Sequence, residues 1–170
     1  MNEKQDFEEK SKESAKVFAD IMPALEHYFG GKLRSTEGHD NDGSLEDFLD
    51  HECGIDAIVK TDTNEVFGIA HRVKTNDYTD FTIRTHNKKG RYTEIDHMRQ
   101  SGFKPRYHVQ TVCIDGKPTI VAIARSMDLL YAIDILGIAR PHNAYDGNHF
   151  VSLDWNDLIN NGINVDFIKL

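Results

Sequence analysis

The stretch "YHVQTVCIDGKPTIVAIARS", residues 107–126, constrains the fold more than any other. Two runs rich in β-branched and apolar residues flank Asp115-Gly116, a dipeptide that closes tight antiparallel hairpins. A second strand pair is predicted in "GIDAIVKTDTNEVFGIAHRVK", residues 54–74, where Asp62 to Asn64 carry the turn chemistry. A chain that places this much sequence in strands needs a sheet and something to cover it.

Helical periodicity supplies the cover. Phe18, Met22, Leu25 and Phe29, with Ile21 beside them, form one stripe, so residues 5–29 are predicted as an amphipathic helix ended by Gly30-Gly31. Ser44 followed by Asp47 predicts a short capped helix in "SLEDFLDHEC". "YTDFTIRTH" reads as a third strand, "NKKG" as a basic turn, and "RYTEIDHMRQSG" as a short helix. "SMDLLYAIDILG" reads as a helix between Ser126 and Gly137. "STEGHDNDGS" and "RPHNAYDGNH" read as polar loops; "FVSLDWNDLINNG" begins as a strand and turns helical, and "INVDFIKL" is a last short strand. The order implies an α/β (α+β) fold with a mixed central sheet flanked by helices. At 170 residues the expectation is a single domain, 1–170, with an N-terminal amphipathic helix over 1–34, a core over 44–110 and C-terminal strands and helices over 111–170.

The net charge of −8 argues against a general affinity for nucleic acid, but its distribution is uneven. Residues 1–56 carry −9, residues 57–109 carry +4, and residues 110–170 carry −3. The middle third therefore holds the basic surface, and phosphate contacts depend on local potential. Cys53 and Cys113 are far apart and in no metal-ligand spacing, which reads as two reduced, buried thiols in a cytoplasmic protein. The charged N-terminus lacks the pattern of a secretory signal, and no apolar run is long enough to span a membrane. His142 to His149 could ligate a metal, but no Cys or HExxH partner supports zinc there.

Alternation along "VFGIAHRVK" puts Phe67, Ile69, His71 and Val73 on one face and Gly68, Ala70, Arg72 and Lys74 on the other. Asp56, at the start of the paired strand, then lies across the ladder near Arg72. This is either an ion pair at a sheet end or a site where a carboxylate holds a divalent cation beside a lysine. Arg84, Lys88, Lys89 and Arg91 would line the path of a phosphate backbone. Tyr78 and Tyr92 are placed either to stack on bases or simply to pack, and Gln110 lies on the open face of a strand or near the same site.

Asp56 in "GID" and Lys74 closing "RVK", with the order helix, strand, strand, strand, helix, resemble the core of the PD-(D/E)XK nuclease superfamily, many of whose members belong to phages and mobile elements. The likeness covers roughly residues 44–110. It implies a restriction-endonuclease-like core, a Mg²⁺ or Mn²⁺ ion, DNA as partner, and a catalytic set of Asp56, Arg72 and Lys74. Arg72 stands where the family carries an acid, so the metal ligands implied are Asp56 with Glu94 or Glu52. The resemblance leaves two outcomes open: a Mg²⁺-dependent endonuclease, or an inactive module binding nucleic acid or a host protein, its acidic N-terminal third acting as a DNA mimic. A metal-independent RNase using His71, Arg72, Arg84 and His86 is a third class. A homodimer joined through the terminal strand is also compatible. Phosphate-loop, dinucleotide-binding and nucleophile-elbow motifs are all absent.

Overall fold

The computed structural model describes residues 3–36, 43–87, 90, 92–144 and 147–170. Helix α1 (Glu3–Phe29) leads into β1 (Gly31–Ser35), followed by α2 (Leu45–His51), β2 (Ala57–Thr61), β3 (Val66–Lys74) and β4 (Asp80–His86). Then come α3 (Glu94–Arg99), β5 (Pro105–Ile114), β6 (Lys117–Arg125) and α4 (Ser126–Tyr131), the last continued by a π-helical turn over Ala132–Leu136. The chain closes with β7 (Arg140–Asn143), β8 (His149–Asp154), α5 (Trp155–Asn160) and β9 (Asp166–Lys169).

Among the described residues the strands form two sheets, not one. The larger has the order β1-β2-β3-β5-β6-β9 and the smaller β4-β8-β7. The larger is mixed: β3 and β5 run parallel, and its other neighbours are antiparallel. The parallel pair needs a crossover, and α3 lies within it. The predicted turn at Asp115-Gly116 forms as expected, with φ of 51° and 71°, the two positive values a type I′ turn requires.

Helix α1 buries Phe18, Ile21 and Leu25 on one face of the large sheet, against Ala57, Val59, Phe67, Ile69, Val109, Val121 and Ile123. The opposite face carries Ala122 and Ala124, and these small side chains let a second layer approach closely. That layer brings Phe81 and Ile83 from β4, Leu153 from β8, Met98 from α3, Leu129 from α4 and Trp155 from α5. The core cluster so formed spans both sheets.

Four expectations are corrected. Residues 31–35, expected in the helical region 1–34 and at the start of the loop from Ser35, form the edge strand β1 instead, because the helix ends at Phe29. The loop expected at residues 140–149 contains β7 and the start of β8. The third strand leaves the central sheet, because the free edge of β3 is taken by β5. The helix expected from Ser126 to Gly137 changes to π geometry at Ala132 before its left-handed Gly137 cap. The capped α2 forms as expected: Asp47 N–H donates to Ser44 Oγ at 3.1 Å. Both cysteines are buried and free. No helix among the described residues is long and apolar enough to cross a membrane.

Candidate functional site

The predicted alternation of β3 holds. His71 faces α1, where its ring lies 4.8 Å from Phe18 and its Nε2 is 2.9 Å from Thr111 Oγ1. Burial, with the nearby Arg72 charge, pulls its pKa down to about 3, so it is a neutral core histidine. Facing the other way, Arg72 and Lys74 look toward α3 and β4 and meet carboxylates there.

Arg72 Nε donates to Glu94 Oε1. Glu94 is the first residue of α3, whose start is fixed by a reciprocal cap between Thr93 and Asp96. Its second oxygen accepts the backbone N–H of Arg84 at 2.6 Å. Asp56 hooks back onto β3, where its Oδ2 accepts the His71 N–H at 2.5 Å, and it lies close enough to favour the Arg72 cation. Burial works against the Arg72 charge, but Glu94 and then Asp56 outweigh it and raise its pKa. Burial likewise opposes the Glu94 carboxylate, and Arg72 overcomes it, holding the pKa below the ordinary value. Asp56, Arg72 and Glu94 therefore come together, with Glu94 paired to Arg72.

Lys74 pairs with Asp80, the first residue of β4. Burial, helped by the Arg72 charge, draws the ammonium pKa down to about 8. Tyr78 lies nearby, its ring centroid 5.9 Å from Lys74 Nζ. Tyr78 and Tyr92 are both exposed and do not pack in the core.

Gln110 sits opposite Arg72 on β5, and His108 is two residues before it on the same strand face. His108 Nδ1 lies 2.9 Å from Ser126 Oγ, and burial lowers its pKa to about 4 despite the nearby Glu94. Among the described residues, His108 Nε2 and Gln110 Nε2 find no hydrogen-bond partner. His108 and Asp80 were missed by sequence reasoning. The spacing "HVQ" would have paired His108 with Gln110; nothing local marks Asp80.

A cleft of about 230 Å³ opens beside this cluster, lined by Arg72, Thr82, Arg84, Ala144, Asn148, His149 and Phe150. Arg84 thus shares the cleft with Arg72. Lys88, Lys89 and Arg91 lie outside the described residues. The His142–His149 stretch lends His149 to the cleft, while His142 Nε2 lies 2.8 Å from Ser152 Oγ.

A divalent cation needs carboxylate oxygens open to it. Both Glu94 oxygens accept hydrogen bonds, one of them from a guanidinium, and Asp56 holds the β3 backbone. Glu52 is exposed at the end of α2, and no group of three or more His, Cys, Asp or Glu side chains able to hold a metal comes together among the described residues. In this arrangement the donor set does not fit Mg²⁺ or Mn²⁺. Comparison with known proteins gives no matching family model, no matching curated protein and no matching solved structure.

Proposed function

We propose that this chain is a nuclease-like module that binds nucleic acid, DNA first, through the Arg72–Arg84 cleft without cutting it. One observation carries the reading. The position where the nucleases that the sequence resembles carry an acid holds a guanidinium that is paired with Glu94 and lines a cleft shared with a second arginine. Guanidinium groups match phosphate oxygens in shape and charge, and Arg72 spends only Nε on Glu94. The strand order supports the nuclease-like part: β2, β3 and β5 are adjacent, the last pair parallel, with Asp56 and Lys74 at the ends of neighbouring strands.

Cutting by the same site is the second reading, favoured by that placement of Asp56 and Lys74. Fluorescence anisotropy with labelled DNA and a plasmid-nicking assay separate the two. The binding module gives salt-sensitive binding, weakened about tenfold or more in Arg84→Ala, and no nicking with Mg²⁺, Mn²⁺ or EDTA. Metal-dependent nicking that disappears in Asp56→Ala would replace it with the second reading.

A further inference from the structure

At one end of the small sheet an irregularity in strand pairing brings two histidines together. Arg84 on β4 lies opposite Phe150 on β8, yet the next matched pair is His86 with His149. Thr85 is therefore the extra residue of a β-bulge, a feature that re-aims side chains. In regular register Thr85, not His86, would stand opposite His149. The two imidazole centroids are instead 5.0 Å apart, with their planes tilted by 45°. Both residues are exposed, and neither makes a hydrogen bond or an ion pair among the described residues. The rings thus gain no hydrogen bond from each other, whereas one metal ion can use a nitrogen of each.

We propose that His86 and His149 together hold one divalent transition cation, of the class of Cu²⁺, Ni²⁺ and Zn²⁺. Imidazole nitrogen suits these ions, whereas Mg²⁺ prefers carboxylate and water oxygens. The spacing fits a shared ion. Two imidazoles bound at about 2.0–2.1 Å, roughly 90–110° from each other, have ring centres roughly 4.5–5.2 Å apart. Two protein ligands leave further coordination positions to solvent. His149 also lines the cleft of about 230 Å³, so there is space beside the ion for the waters that complete its shell. The site is distinct from the Asp56 and Glu94 carboxylates, whose oxygens are already taken up by N–H donors. It stands independently of the nucleic-acid reading, because it needs only the two rings.

The test is calorimetric titration with Cu²⁺, Ni²⁺ and Zn²⁺. The proteins are wild type, His86→Gln, His149→Gln, the double variant and His142→Gln, each checked for folding by thermal melting in EDTA. Electron paramagnetic resonance of the Cu²⁺ form counts the nitrogens on the ion. The expected result is a site tightest for Cu²⁺, with two imidazole nitrogens on the metal. Either single variant should weaken it about tenfold or more, and the double variant should be little worse, since one ring alone chelates nothing. His142→Gln should bind like wild type. Saturating Ni²⁺ should raise the melting temperature of wild type and leave that of His86→Gln unmoved. Single variants that bind like wild type overturn the site, as does a Cu²⁺ spectrum with only one nitrogen. Loss of binding in His142→Gln, with His86→Gln unaffected, would also overturn it.

Discussion

Arg72 keeps 33% of its side chain exposed and Glu94 only 18%, so the two halves of this ion pair are unequal. Removing the arginine strands a carboxylate that sits under the sheet; removing the acid leaves a guanidinium that can turn to water. Arg72→Met should therefore destabilise the fold by about 1–3 kcal/mol, below the 3–5 kcal/mol of a fully buried pair because solvent screens the arginine. Glu94→Gln should cost less. The double variant in a urea-melt cycle should show coupling of about 1 kcal/mol or more, and coupling near zero would make the pair a surface one. The sequence made Asp56, Arg72 and Lys74 visible as a group because strand alternation is local. It left Asp80 hidden, since its pairing with Lys74 depends on where β4 goes after leaving the large sheet.

At the scale of elements, β3 is the strand on which the site is built, and Gly68 sets how closely its surroundings pack. A Cβ at Gly68 would lie 2.6–2.9 Å from three Ile55 side-chain atoms, and Ile55 is fully buried beside Asp56. Gly68→Ala should destabilise by about 1–3 kcal/mol through overpacking. Ile55→Val in the same chain should recover part of the loss, and chemical denaturation of the three variants measures both. The elements that sequence reasoning missed are also intelligible at this scale. All four residues of β7 are exposed and one is Pro141, so no apolar alternation marks it as a strand. Strand β1 is five residues long, with Leu33 as its one large apolar residue. Both owe their existence to a partner: β8 for β7, and β2 for β1.

For the molecule as a whole, the buried histidines govern behaviour in acid. His71 and His108 have pKa values pulled by burial to about 3 and about 4, whereas an unfolded chain titrates near 6.5. Between those limits the unfolded state binds protons that the folded state refuses. The stability they provide is thus present above about pH 6.5 and lost as pH falls toward 4. Each histidine steepens that limb by up to about 1.4 kcal/mol per pH unit. Glu94, with its pKa lowered, adds a loss that begins only nearer the ordinary carboxylate range. Urea midpoints should therefore fall from about pH 6.5 downward, and His108→Gln should flatten part of the slope. A stability flat to about pH 4.5 would mean that these rings are charged in the fold.

Local periodicity and turn chemistry were enough to determine the α1 stripe, both hairpins, the Ser44 cap of α2 and the faces of β3, because each depends on neighbours within a few residues. The cap expected of Ser126, by contrast, does not form, and its Oγ turns to His108. Which strand lies beside β3, that β4 joins β7 and β8 in a second sheet, and that Arg72, Arg84 and Phe150 share one cleft were decided only in three dimensions. These depend on pairings between segments dozens of residues apart, and strand edges carry no label in the sequence for the partner they will meet.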